Sequence, residues 1–165
     1  MLKNIENMDV LKLGDNVNTD LIHPAEYFSL DDTIITEGLF KGLEEEISLA
    51  DLKNKIIVAG KNLGCGSSRE VYAKALKLIG VKVIIAESFA RIFYRNLVNN
   101  TIIPIQILST KSFYPGDKIS ISLTENKIFN DRTKSKYDFN IDPFVIQIVE
   151  KGGLIKKLKD DEDGI

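Results

Sequence analysis

Ser67, Ser68 and Arg69 stand side by side at the end of a glycine-rich run, Gly60-Lys-Asn-Leu-Gly-Cys-Gly-Ser-Ser-Arg-Glu70, directly before a helical pattern. A helix N-terminus offers unpaired N–H groups and a partial positive charge, so it favours an anion. A serine held there has a less costly alkoxide and can serve as a base, and a neighbouring arginine can grip a carboxylate with two hydrogen bonds. The glycines let the backbone approach a ligand closely. The competing reading is structural: Ser67 or Ser68 caps the helix and Glu70 completes a capping box.

Two further segments carry polar side chains suited to a site. One is Gly14-Asp-Asn-Val-Asn-Thr-Asp20; the other is Ser88-Phe-Ala-Arg-Ile-Phe-Tyr-Arg-Asn-Leu-Val-Asn-Asn100. Arg91 and Arg95 lie four apart on one helical face, where they either orient a substrate, pair with a partner's acids or form a solvated surface. Phe89, Ile92, Phe93 and Leu97 read as packing residues. Cys65 reads as a small packed residue in a tight turn; the single histidine, His23, is of a kind more often structural than catalytic and is assigned no role.

The elements that must position these residues follow from periodicity. Val10 to Leu13 is a short apolar strand before the Gly14-Asp15 turn. Leu21 to Pro24 leaves the polar loop in an extended conformation. Residues 26–46 show no clean period and are expected as a long loop with short helical pieces, mobile without a partner. Lys55 to Ala59 is a β-branched run suited to a buried strand. Val71, Ala75, Leu78 and Ile79 share a helical face ended by Gly80, and Val81 to Ala86 is a second buried strand. Strand, helix and strand make a right-handed parallel βαβ unit. Ser88 is expected to cap a helix over Phe89 to Asn99, with a third apolar strand over Thr101 to Ile107. Lys118 to Leu123 alternates with period two. Lys127 to Phe129 and Tyr137 to Ile141 read as short strands, and Pro143 to Glu150 as a helix ended by Gly152-Gly153. The charged residues 159–165 are expected to fray.

Bulk properties narrow the functional class. At 165 residues, 44% hydrophobic and 28% charged, the chain is expected to form one domain over residues 1–165. A net charge of -2 gives no electrostatic case for nucleic acid or an anionic membrane. With one cysteine and one histidine the chain cannot assemble an iron–sulfur or structural zinc site alone. No signal-peptide pattern and no apolar run near ~18 residues is found, so a cytoplasmic location is expected.

In combination and order the three segments resemble the small subunits of the 3-isopropylmalate dehydratase family and, more broadly, the swivelling C-terminal domain of the aconitase family. The resemblance runs from about Leu13 to about Leu158. It implies an α/β, aconitase-type swivelling domain whose parallel βαβ core packs with a small mixed, barrel-like β region. The active face would be the sheet end bearing Asp20 and the Gly64 to Arg69 turn. It also implies a hydro-lyase of leucine biosynthesis that isomerises 2- and 3-isopropylmalate by dehydration and rehydration. The partner would be a large subunit carrying a 4Fe–4S cluster, in a heterodimer or heterotetramer, with no cofactor in this chain. By position, Ser67 corresponds to the proton-abstracting serine, Ser68 to a hydrogen-bonding neighbour, Arg69 to the carboxylate binder and Asp20 to an acid of the active-site network. Thr19 joins the substrate-binding set. His23 departs from the family, which usually has an aliphatic residue before the proline.

Within this family the loop after Pro24 sets substrate choice. Here Ala25-Glu-Tyr-Phe-Ser-Leu-Asp-Asp-Thr-Ile-Ile35 holds no arginine for a distal carboxylate. Tyr27, Phe28 and Leu30 suit an alkyl group, whose burial is worth ~0.8 kcal/mol per CH₂, whereas a distal carboxylate would lack a partner. Isopropylmalate is therefore the first expected substrate, ahead of dimethylmalate and homoaconitate. The alternatives are a non-catalytic regulatory swivel domain and a nucleotide-binding βαβ module, which would need the absent Gly-x-Gly-x-x-Gly spacing.

Overall fold

The computed structural model describes residues 4–44, 47–66 and 69–163. Seven strands form one sheet: β1 Ile5–Lys12, β2 Lys55–Ala59, β3 Val83–Ala86, β4 Ile103–Gln106, β5 Lys118–Ser122, β6 Lys127–Asn130 and β7 Ser135–Asp138. Their spatial order is β4-β3-β2-β1-β5-β6-β7. Pairings from β4 to β1 are parallel and those from β1 to β7 antiparallel. The βαβ core and the mixed β region expected from the resemblance are thus both present, joined edge to edge through β1.

The helices are α1 Thr19–Ile22, α2 Asp32–Glu37, α3 Leu49–Leu52, α4 Val71–Leu78, α5 Arg91–Asn99, α6 Pro143–Glu150 and α7 Leu154–Asp163, with a 3-10 turn at Ala25–Tyr27. Among the described residues no helix is long and apolar enough to cross a membrane.

Strand alternation divides the core in two. Ile57 and Ala59 of β2, with Ile84 and Ala86 of β3, face a cluster closed by Tyr72, Ala73, Ala75 and Leu76 of α4 and by Ile35 of α2. Ile56, Val58, Val83 and Ile85 point to the opposite face. There they meet Ile119 and Ile121 of β5, Ile128 of β6 and Ile148 and Val149 of α6. Residues from both halves of the sheet share that second cluster, so the sheet curls into a half-barrel. Burial on both faces explains why β2 and β3 read as continuous apolar runs while β5 alternates.

Several local expectations change. β1 begins at Ile5, before the apolar run, because it pairs with β5 as well as β2. Leu21 and Ile22 are helical rather than extended: the Asn18 side chain accepts the Asp20 N–H and caps a short turn, and extended geometry starts at His23. Helix α5 starts at Arg91 with Ala90 at its cap, because the Ser88 hydroxyl instead accepts the Asn62 N–H at 2.8 Å. β7 begins at Ser135, two residues before the expected strand start. Residues 159–163, expected as frayed tail, continue α7. Lys151–Asp160 at 2.9 Å and a Lys157–Asp161 pair spaced one turn apart support that charged helix. Within 26–46, the described part carries Ile35, Leu39 and Phe40 buried in the core, so this segment packs closely rather than lying loose.

Candidate active site at the end of the parallel strands

The loops following β1, β2 and β3 are stitched together by main-chain hydrogen bonds beyond the strand ends. Gly60 N donates to Gly14 O (3.0 Å), Asn16 N to Lys61 O (2.7 Å), Gly64 N to Val17 O (2.8 Å) and Thr19 N to Cys65 O (2.8 Å). On the other side, Leu63 N donates to Ser88 O (3.0 Å) and Ala90 N to Leu63 O (2.9 Å). These bonds register as bridges Asn18 to Cys65 and Leu63 to Phe89. The three polar segments of the sequence are therefore consecutive ribbons of one surface.

Side chains lock the ribbons further. Asp15 Oδ1 accepts the Lys61 N–H (2.7 Å), and Asn62 Nδ2 donates to Asn16 Oδ1 (3.0 Å). Cys65 is half-buried with its Sγ 3.5 Å from Asn16 O, as suits a packed thiol in a turn. Gly64 has φ +78°, and a Cβ there would overlap the buried Phe93 ring. A Cβ at Gly66 would stand 3.0 Å from Thr19 Oγ1 and 3.1 Å from Asn18 Oδ1. Only glycine lets these strands of the turn lie so close.

Thr19 is fully buried beneath this surface, and Asp20 is exposed on it. Ser67 and Ser68 lie outside the described residues. Arg69 resumes the chain on the exposed side, its Cζ over the Phe28 ring at 4.1 Å from the centroid. Glu70 closes no capping box: it occupies the N-cap of α4 without a side-chain cap bond, and its Oε1 accepts the Asn100 Nδ2–H at 3.0 Å. This bond ties the start of α4 to the end of α5.

The segment after Pro24 folds over α4. Phe28 stacks on His23 with centroids 5.6 Å apart and planes 12° apart, and it tilts against Tyr72 at 6.0 Å. Tyr27 meets His23 edge-on at 6.3 Å. His23 is fully buried and its Nε2–H donates to Ile35 O at 2.7 Å. Burial lowers its pKa below the ordinary value, against a smaller opposing pull from the Ile35 carbonyl. His23 packs as a core side chain among Tyr27, Phe28 and Tyr72. Lys74 of α4 pairs with Asp32 of α2 at 2.7 Å, a contact with no local sequence signal. Leu30 is wholly exposed.

Arg91 and Arg95 are both exposed on α5, as is half of Ile92, while Phe93 and Leu97 are core. Beyond Ser88, a cleft of about 720 Å³ lined by Lys61, Glu87, Gln106, Leu108 and Asn140 contains none of the expected site residues. Nearby, Lys12 Nζ donates to Thr110 O at 2.6 Å, and burial lowers its pKa against the opposing charges of Glu87 and Asp15. Among the described residues no group of three or more His, Cys, Asp or Glu side chains is placed to hold a metal ion.

Fold and site together define an α/β domain that presents a glycine-rich turn, an exposed acid and an arginine as an open surface at one end of a half-parallel sheet. The family description "Aconitase C-terminal domain" matches residues 44–110. The chain is 37% identical over 158 residues to the 3-isopropylmalate dehydratase small subunit of Wolinella succinogenes, covering 94% of this chain and 95% of that protein. It is 43% identical over 161 residues to the methanogen homoaconitase small subunit of Methanothermobacter thermautotrophicus, covering 94% and 92%. A crystal structure of 3-isopropylmalate dehydratase from Methanocaldococcus jannaschii superposes with a TM-score of 0.86 at 34% identity, covering 97% and 96%. The chain belongs to the 3-isopropylmalate dehydratase small-subunit family of aconitase-type domains.

Proposed function

We propose that this chain, acting as a single domain, is the small subunit of a 3-isopropylmalate dehydratase. In this reading it interconverts 2- and 3-isopropylmalate in the cytoplasm together with a large subunit. The observation that carries the reading is the Thr19 N to Cys65 O bridge, which sets the Asn18 to Asp20 segment against the Gly64 to Gly66 turn. It anchors the described end of the glycine-rich turn beside Asp20.

Ser67 takes the proton from the carbon adjacent to a carboxylate, and Ser68 supports it. Arg69 binds that carboxylate through its N–H fork, holding the substrate before and during proton removal. Asp20, exposed beside the turn, belongs to the proton-handling network. A 4Fe–4S cluster does not fit this chain's donor set, whose one thiol packs on Asn16 O and whose one imidazole is buried on Ile35 O. The cluster is assigned to the large subunit, where it supplies Lewis acidity for loss and return of the hydroxyl.

Absence of arginine from residues 25–35 favours an alkyl substituent over a distal carboxylate. Of the two cations the fold brings to that loop, Lys74 is already paired with Asp32 and Arg69, over the Phe28 ring, is assigned to the carboxylate common to these substrates. Leu30 offers an exposed apolar face to the isopropyl group. A homoaconitase small subunit is the alternative, favoured by the similarity to the methanogen protein.

Reconstitution with the cognate large subunit tests both. Turnover of isopropylmalate exceeding that of dimethylmalate and homoaconitate is expected, and Ser67→Ala should abolish it without preventing assembly. Preference for homoaconitate would overturn the substrate, and near-normal activity of Ser67→Ala would overturn the base.

A further inference from the structure

We propose that Phe28 is a positioning residue for Arg69: the substrate loop holds the carboxylate-binding guanidinium on an aromatic face. The proposal rests on Arg69 binding the substrate carboxylate. From the sequence, Phe28 was expected to line the alkyl pocket. In the structure one face of its ring carries the Arg69 guanidinium at 4.1 Å, and it also stacks in near-parallel fashion on His23.

The geometry suits the task. A ring attracts the guanidinium charge without taking up a carboxylate-type acceptor, so N–H groups of the fork stay available to a carboxylate. Arginine otherwise loses several rotatable bonds on binding, and a platform holding it beforehand reduces that loss. The platform is itself braced. His23 stacks on Phe28 with its Nε2–H fixed on Ile35 O, and Tyr72 of α4 flanks both rings. Gly38 makes room for that brace, since a Cβ there would stand 2.8 Å from His23 Nε2 and collide with Tyr27. Burial disfavours the charged form of His23, so the stacked imidazole does not bring a second positive charge against Arg69.

The test compares Phe28→Leu with Phe28→Trp in the reconstituted two-subunit enzyme. Phe28→Leu keeps an apolar side chain but removes the ring face. It should raise KM for isopropylmalate roughly three- to thirtyfold, with kcat within about twofold, the pattern of lost substrate binding. Phe28→Trp, which keeps a face, should restore KM to near wild type. A merely structural or hydrophobic role would reverse this order, because leucine fits a packed alkyl pocket better than tryptophan. A second readout needs no turnover: the Arg69 side-chain NMR resonances of the full chain should be ring-current shifted in wild type and Phe28→Trp, and unshifted in Phe28→Leu. KM unchanged in Phe28→Leu, equal loss in both variants, or absence of the ring-current shift would each overturn the proposal. If the wild-type enzyme failed on isopropylmalate, the assigned reaction would fall, and the NMR comparison would still decide whether Phe28 holds Arg69.

Discussion

Three glycines allow the cost of closing the active-site turn to be separated into its parts. Gly64 and Gly116 share nearly the same backbone angle, φ +78° and +79°, but a Cβ at Gly64 would overlap the Phe93 ring while one at Gly116 meets nothing within 4 Å. Gly14 has neither a left-handed φ nor a neighbour within 4 Å. Replacing each by alanine stiffens the unfolded chain equally, so that contribution cancels between them. Gly14→Ala should change stability by less than about 1 kcal/mol in either direction. Gly116→Ala should lose about 1–2 kcal/mol for a left-handed non-glycine residue. Gly64→Ala adds an overpacking cost of about 1–3 kcal/mol, giving about 2–5 kcal/mol in all. Urea or thermal unfolding of the three variants measures this directly, each kcal/mol corresponding to roughly 2–4 °C at this size. Adding Phe93→Leu to Gly64→Ala should recover part of the second cost and none of the first. Equal destabilisation by Gly64→Ala and Gly116→Ala would show that the close approach to Phe93 costs nothing, and would refute the account of the turn.

Other outcomes follow from the ion pairs and titrating groups. The Arg132 guanidinium, with Asn130 and the Tyr114 N–H, lowers the Asp117 carboxyl from 3.8 to about 2. A depressed carboxylate pKa stabilises above its unfolded value and loses that contribution as pH falls through its folded one. Allowing for the half-exposed Arg132, about 1–2 kcal/mol should disappear between pH 4 and pH 2. In Asp117→Asn that acid-dependent loss should be absent, as denaturant titrations at each pH would show. His23 also has a lowered pKa, so folding disfavours its protonation and stability should decline as pH drops below its unfolded value of 6.5. His23→Leu should flatten that slope in the same titrations. Lys74→Ala, which removes a largely exposed pair with Asp32, should cost less than about 1 kcal/mol, measured by urea unfolding.

How legible the fold was depended on whether a signal was local. β2 matches its expected bounds because an uninterrupted β-branched run between polar ends has few alternatives. α6 matches because Asp142 caps it, Pro143 occupies its first turn and Gly152-Gly153 follows it. Ser88 misled because a long-range donor, the Asn62 N–H, claimed the hydroxyl. α7 was missed because its support comes partly from ion pairs across a turn and back to Lys151, which a charged tail does not advertise. At the site, the order of the three polar segments was readable because each follows a strand of the same parallel sheet. The Phe28–Arg69 stack was not, since nothing near either residue signals the other.

Ile22 O accepts the Phe40 N–H, so the two ends of the segment between them, the proposed substrate loop, meet. Among the described residues, main-chain bonds from 24–39 stay within 24–41, while the glycine-rich turn is held by the extended ladder between the first two parallel strands. The loop is in effect a cassette with a single stem, and its contents can be exchanged without unpicking the sheet end that carries Asp20 and Gly64. Grafts between relatives of different substrate range are therefore practical at the Ile22 and Phe40 junctions. Such a graft has to carry across the side chains by which the exchangeable part grips the permanent part: the aromatic ring at position 28, the buried Ile35 and Leu39, and the Asp32 partner of Lys74.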